Sequence, residues 1–205
     1  MSSNPLAASY SPVPQFDLAA QFAVIGDEVR HAVDRVLSSH QFILGREGAA
    51  LEEEIAQLCG AAHGVGVGSG TDALVLALRA CGVGVGDEVI LPPFTFVATG
   101  SAVSALGARP VFADIHPNTY NVDPAQLERR VTPRTRAIVV VHLYGLTADM
   151  DPIMEFARKK NIPVVEDAAQ AVGPATKADT PARSPMSRAL AFIRRKISAR
   201  AAMRA

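Results

Sequence analysis

The run "AIVVVHL" at 137–143 is apolar at consecutive positions, and "IPVVED" at 162–167 repeats this before ending in two carboxylates. A strand with one face in water alternates apolar and polar residues. A strand that is apolar on both sides must be covered on both faces. Shorter runs of the same kind stand at 64–67 ("GVGV"), 88–91 ("EVIL") and 110–114 ("PVFAD"). Between them lie stretches with helical spacing, "TDALVLALRA" up to Gly82 and "TFVATGSAVSAL" up to Gly107. "DPAQLERR" and "DPIMEFARKK" each put Asp in the capping position and Pro first in the helix, giving Asp123 and Asp151 as caps. Further upstream, "IGDEVRHAVDRVL" sets Ile25, Val29, Val33 and Val36 on one helical face, and "LEEEIAQLCG" does so with Leu51, Ile55 and Leu58 before Gly60 stops it. The pattern predicts an α/β fold: a three-layer, doubly wound, mostly parallel sheet between helices.

Composition narrows the function classes. Nearly half of the 205 residues are hydrophobic, enough for a substantial core, yet no apolar run has the length of a membrane span. The start, "MSSNPLAASYSPVPQFDL", has neither a basic n-region nor an apolar h-region, which points to the cytoplasm. Cys59 and Cys81 lack metal-ligand spacing and read as reduced thiols, so no metal site is expected. The net charge of zero hides an asymmetry, because residues 174–205 hold eight Lys/Arg and one acid. That basic tail has no aromatic interleaving beyond Phe192 and no nucleic-acid motif, so neither nucleic acid nor a membrane is the expected partner. The expected organisation is an arm at 1–23, the α/β body at 24–173 and the tail at 174–205. The tail is expected not to continue the sheet; "SRALAFIRRKI" has at most the spacing of an isolated helix.

In doubly wound sheets, ligands sit beyond the carboxyl ends of the strands. Three stretches fall there. "GVGSGTDAL", 66–74, reads as strand, glycine-rich turn and helix start, so the N–H groups of Gly70, Thr71 and Asp72 suit a phosphate, although a plain turn has the same look. Gly68, Gly70 and Ala73 also match G-x-G-x-x-A, a dinucleotide fingerprint, with Asp87 or Glu88 as the ribose acid. In "PPFTFVAT", 92–99, Phe94 or Phe96 would stack on a flat ring or fill the core. In "VVEDAAQ", Asp167 and Gln170 would grip a heteroaromatic ring, unless Asp167 merely caps a following helix.

The stretches "SGTDALVLALRACGVGVGDEVILPPFTFVAT", "VHLYGLTADMDPI" and "VVEDAAQAVG" together resemble the DegT/StrS family of pyridoxal-phosphate sugar aminotransferases, in unbroken order over about residues 13–173. The resemblance implies the large domain of an aspartate-aminotransferase-like fold, here incomplete, and a homodimer. It further implies amino transfer from glutamate or glutamine to a nucleotide-linked keto sugar, of use in polysaccharide biosynthesis. Residue by residue, it implies pyridoxal 5'-phosphate held through its phosphate by Gly70, Thr71 and Asp72. Phe96 would stack on the ring, Asp167 would pair with the ring nitrogen and Gln170 would lie near the phenolic oxygen. His142 is expected to be structural. The family's Schiff-base lysine follows the "EDAAQA" stretch, but Lys159, Lys160, Lys177 and Lys196 all lack its context. The resemblance thus implies a chain without that catalytic lysine, inactive as it stands.

Overall fold

The computed structural model describes residues 17–171 and the backbone of 189–191. Two compact units are present, Met1–Gly45 with Ser198–Ala205, and Arg46–Ile197. The described part of the first unit is one long helix, α1 (Leu18–Ser39). Asp17 caps it by accepting the Ala20 N–H, so the helix begins inside the expected arm. Its less exposed stripe is Ile25, Val29, Ala32 and Val36, whereas Val33 is exposed. The expected face was one residue out of step at that position, since spacing of four, three and four follows the helical turn better.

The second unit opens with α2 (Arg46–Leu58), which Gly60 ends in a left-handed conformation at φ 62°. The elements after it are α3 (Gly70–Ala80), β1 (Glu88–Leu91), α4 (Val97–Ala105), β2 (Arg109–Phe112), a 3₁₀ turn (Pro124–Gln126) running into α5 (Leu127–Arg130), β3 (Thr135–Val141), α6 (Met150–Lys160) and β4 (Val164–Asp167). A last short strand, β5 (Ala189–Ala191), completes a sheet in the order β2-β1-β3-β4-β5, and every pairing is parallel.

Strand alternation divides the core in two. Val89, Leu91, Ala137, Val139 and Val165 pack against Leu74 and Leu78 of α3 and Ala102 and Val103 of α4. Ile90, Ile138, Val140 and Val164 pack on the opposite side with Leu127 of α5 and Ile153, Met154 and Ala157 of α6. The sheet is therefore covered on both faces, as its uninterrupted apolar strands require. Side chains buried as completely as Leu78, Ile90, Leu91 and Ile138 each contribute about 2 kcal/mol.

Three expectations need correction. "GVGV" forms no strand: Val65 is exposed, two of the four residues are glycine, and the Gly66 N–H is held by the Glu52 carboxylate (2.6 Å) instead of a ladder. The N-cap position of α6 is held by Asp149, without a side-chain capping bond, and not by Asp151, which lies in the first turn, where its charge suits the helix dipole. Asp123 does cap the 3₁₀ turn before α5 by accepting the Ala125 N–H. Finally, part of the tail does continue the sheet. Val165, Glu166 and Asp167 pair with Ala189, Leu190 and Ala191, satisfying backbone groups that β4 would otherwise leave open at its edge. Those three residues are strand and not helix; the rest of the tail, like residues 1–16, lies outside the described residues.

Candidate functional site

The connection from β1 leads to β2 on one side, and that from β3 leads to β4 on the other, so the strand order reverses between β1 and β3. Loops diverge at the carboxyl ends of these strands and leave a crevice. Asp167 is the last residue of β4 and pairs with Val141, the last of β3. Alternation points it to the α3/α4 side, with Val165, and sends Glu166 to the α6 side, with Val164.

The hydrogen bonds agree with this division. Asp167 is buried; its Oδ2 accepts the Thr99 hydroxyl (3.1 Å) and its Oδ1 accepts the Ala169 N–H (3.2 Å). Burial pushes its carboxyl above the usual range. The Ala169 and Thr99 donors and the nearby His142 pull it down without cancelling that effect. Among the described residues no ion pair reaches it. As for the capping alternative, among the described residues Oδ1 serves a tight turn closed by Ala171 N–H to Ala168 O (3.0 Å). On the other face, His142 and Glu166 are both buried, with Nε2 3.1 Å from Glu166 Oε2. His142 Nδ1 accepts the Ala148 N–H (3.2 Å), so a neutral ring carries its hydrogen on Nε2 and donates to Glu166. The pair braces the carboxyl ends of β3 and β4 against each other. The half-buried Cys59 thiol is raised by burial and then by the Glu166 charge; both cysteines are free.

The glycine-rich turn is built around Ser69. Its backbone is extended (φ −154°, ψ 167°), and its Oγ caps α3 by accepting the Asp72 N–H at 3.1 Å. The same hydroxyl donates to Asp72 Oδ2 (2.8 Å), and the Ala73 N–H goes to the Ser69 carbonyl. Of the three amides expected to face an anion, Asp72's is thus already used. Gly70 and Thr71 keep theirs without a partner among the described residues. A Cβ at Gly68 would stand 2.9 Å from Asp72 Oδ2, so a larger residue there would displace that carboxylate from its bond to Ser69.

Phe96 precedes α4 and is 67% exposed, so its ring is available and not core. Phe94 instead meets Tyr120 (5.6 Å between centroids) and Tyr144 (6.4 Å). Gln170 ties two carboxyl-edge loops together: its Oε1 accepts the N–H of Tyr144, a residue in left-handed conformation (φ 54°), at 2.6 Å. With Oε1 committed to a donor, the amide N–H₂ is the end that remains for a ligand. Asn121 fixes the same loop through Leu143 N–H (3.0 Å) and Leu146 O (3.0 Å). Sequence reasoning did not single out Thr99, Ser69, Asn121 or Tyr144. For Ser69 a signal existed, the S-x-x-D spacing of a capping motif; the other three had none.

The dinucleotide alternative fails on position. Glu88 starts β1, at the opposite edge of the sheet, where Arg109, Arg134 and Thr132 consume its carboxylate (2.6–2.9 Å). Asp87 accepts the Gly84 N–H (3.0 Å). Lys159 and Lys160 finish α6 just before β4 begins, also on that opposite edge, and Lys160 Nζ pairs with Glu128 (2.8 Å). Lys177 and Lys196 lie outside the described residues. No three His, Cys, Asp or Glu side chains among the described residues are grouped to hold a metal, and no described helix is long and apolar enough to cross a membrane.

Residues 23–187 match the model of the DegT/DnrJ/EryC1/StrS aminotransferase family. The match starts later than the motifs suggested and runs past the composition break at 174. The chain is 53% identical over 161 residues to UDP-N-acetyl-3-dehydro-alpha-D-glucosamine 3-aminotransferase of Acidithiobacillus ferrooxidans, covering 78% of this chain and 44% of that protein. It is 48% identical to dTDP-3-amino-3,4,6-trideoxy-alpha-D-glucose transaminase of Streptomyces venezuelae, covering 78% and 42%. Among solved structures, S. venezuelae DesV superposes with a TM-score of 0.77 at 48% identity (78% and 43% covered). NtdA of Bacillus subtilis, solved with bound cofactor PMP, superposes with a TM-score of 0.77 at 33% identity (82% and 39% covered). The chain spans less than half the length of these relatives. A doubly wound parallel sheet, a buried carboxylate at its carboxyl edge and a match over most of the chain lead to one conclusion: this chain belongs to the DegT/DnrJ/EryC1/StrS aminotransferase family, whose members depend on pyridoxal phosphate.

Proposed function

We propose that this chain is the cofactor-binding part of a cytoplasmic, homodimeric aminotransferase acting on nucleotide-linked keto sugars. Glutamate or glutamine is the amino donor, and the 205-residue chain alone does not turn over. The observation that carries the reading is Asp167, a buried carboxylate held by two neutral donors, with no ion pair among the described residues. A buried charge needs a counter-charge. A protonated pyridine nitrogen supplies one. When bound, pyridoxal phosphate provides an electron sink for carbanion chemistry, provided that its ring nitrogen stays protonated.

The residues fit that group part by part. Asp167 holds the proton at the ring nitrogen. Gln170, with its Oε1 fixed by the Tyr144 N–H, donates from the amide nitrogen toward an acceptor such as a phenolic oxygen. The open amides of Gly70 and Thr71, the Thr71 hydroxyl and the positive end of α3 attract a phosphate. Asp72 serves this turn through its backbone and its bond to Ser69, not as an anion donor. The exposed Phe96 ring offers a stacking face.

The relatives' names supply the substrate class: UDP- and dTDP-linked amino sugars recur among them. The claim that this chain does not turn over rests on proton handling. A transaminase lysine must sit within hydrogen-bond reach of its proton, and losing such a base costs about 10²–10⁴ in rate. Lys159 and Lys160 are on the wrong edge of the sheet. The test supplies purified chain with pyridoxal phosphate, glutamate and a nucleotide-linked keto sugar, then treats it with borohydride. The expected result is saturable cofactor binding without turnover and without a defined lysine adduct. Turnover at ordinary enzyme rates, an adduct at one lysine or the absence of cofactor binding would overturn the reading.

A further inference from the structure

We propose that Thr99, backed by Thr95, is a positioning residue that holds the Asp167 carboxylate ionised and fixed in orientation. The inference rests on the reading of Asp167 as the partner of a cationic ring. Thr99 lies in the first turn of α4 and is fully buried. Its Oγ1 is 3.1 Å from Asp167 Oδ2 and 2.9 Å from Thr95 Oγ1. A helical threonine ordinarily donates to the carbonyl one turn back. Thr99 spends its hydroxyl on a strand end 68 residues away in sequence.

The direction of this chain of hydroxyls follows from counting protons. An ionised carboxylate only accepts, so the single Thr99 hydrogen goes to Asp167. The contact between the two threonines must then run from the Thr95 O–H to Thr99 Oγ1. Two hydroxyl dipoles point in series at Oδ2, while the Ala169 N–H holds Oδ1. Together they oppose the desolvation that would neutralise the acid, and they pin both oxygens so that the carboxylate cannot rotate away from a ring nitrogen. Few other charges compete. Helix α4 carries none, and Asp72 on α3 is bonded to Ser69. His142, bonded to Glu166 on the opposite face, also favours the ionised form when its ring is charged.

The test follows the Asp167 carboxyl signal by ¹³C NMR titration in the cofactor-free full chain, in wild type, Thr99→Val, Thr99→Ser and Thr95→Val, with circular dichroism to verify folding. Valine keeps the shape and removes the hydroxyl; serine restores the hydroxyl. The expected result is an upward move of the Asp167 midpoint in Thr99→Val, recovery in Thr99→Ser and a smaller upward move in Thr95→Val. Calorimetry with pyridoxamine phosphate should show about tenfold weaker binding in Thr99→Val, the scale of one lost charge-assisted hydrogen bond. A wild-type midpoint in folded Thr99→Val, or equal shifts in the valine and serine variants, would overturn the proposal. Should Thr99→Val not fold, Thr95→Val decides, with an unmoved midpoint counting against. If Asp167→Asn binds the cofactor like wild type, the proposed function fails, while the titration still judges Thr99.

Discussion

Glu88 and Asp167 are both buried carboxylates on this parallel sheet, one at the amino end of β1 and one at the carboxyl end of β4. Their surroundings are opposite. Glu88 receives the Thr132 hydroxyl and the guanidinium groups of Arg109 and Arg134, which hold its carboxyl at about 2. Asp167 receives only a hydroxyl and an amide, and burial raises it. The first carboxylate is spent on structure: its charge is matched within the chain, and it ties the starts of β1, β2 and β3 together. The second is left with an unmatched charge at the edge where ligands bind. Burial is common to both acids; the missing counter-charge sets Asp167 apart.

Four measurements would break or sharpen this contrast. The largest effect is expected for Glu88→Ala, which strips two arginines and a threonine of their shared acceptor. Urea denaturation should show a loss of about 2–4 kcal/mol, and a loss within error would mean that the cluster is only decorative. Next, Thr71→Ala should weaken pyridoxamine phosphate binding by about 1–2 kcal/mol in calorimetry without changing stability. Equal affinities would remove the phosphate assignment from α3.

The remaining two concern pH. Glu88 has a depressed folded value, so its stabilisation is complete above about 4.5 and drains away as pH falls toward about 2. Glu88→Gln should therefore flatten the acid limb of the stability curve in that window, and an unchanged slope would refute the assignment. Asp167 runs the other way. Its folded value is raised, so its contribution is greatest below the ordinary carboxylate range and is lost as pH rises through the folded value. Above that value the ionised group is a cost. Asp167→Asn should leave the cofactor-free melting temperature equal or slightly higher at pH 7 while weakening cofactor binding. A clear drop in melting temperature would show that Asp167, like Glu88, is structural.

Much of this was legible in the sequence, for a physical reason. Doubly buried strands announce themselves by unbroken apolar runs, and β1, β3 and β4 appear where those runs stand. The same rule misjudged "GVGV", where glycine supplies no side chain to bury, and it could not foresee β5, whose three residues owe their strand to an open neighbour. Asp167 was legible because an acid ending an apolar strand is costly wherever the chain folds. Thr99 was not, since nothing local distinguishes a hydroxyl that bonds far away from one that bonds its own helix. Ser69 was legible in principle, through its spacing to Asp72.

The reversal of strand order between β1 and β3 also bears on how the chain folds. Pairing β1 with β2 joins Glu88 to Arg109, and pairing β3 with β4 joins Ile138 to Val164, each across a short stretch of chain. Pairing β1 with β3 joins Glu88 to Thr135, about twice as far apart, at an added loop-closure cost of about 0.7 kcal/mol. The two β-α-β halves are thus expected to form before they dock. Thr99 belongs to the first half and Asp167 to the second, so their hydrogen bond is made only at docking. A destabilised variant would then lose its site while each half still shows native secondary structure, and a probe on Asp167 would report the final step of folding.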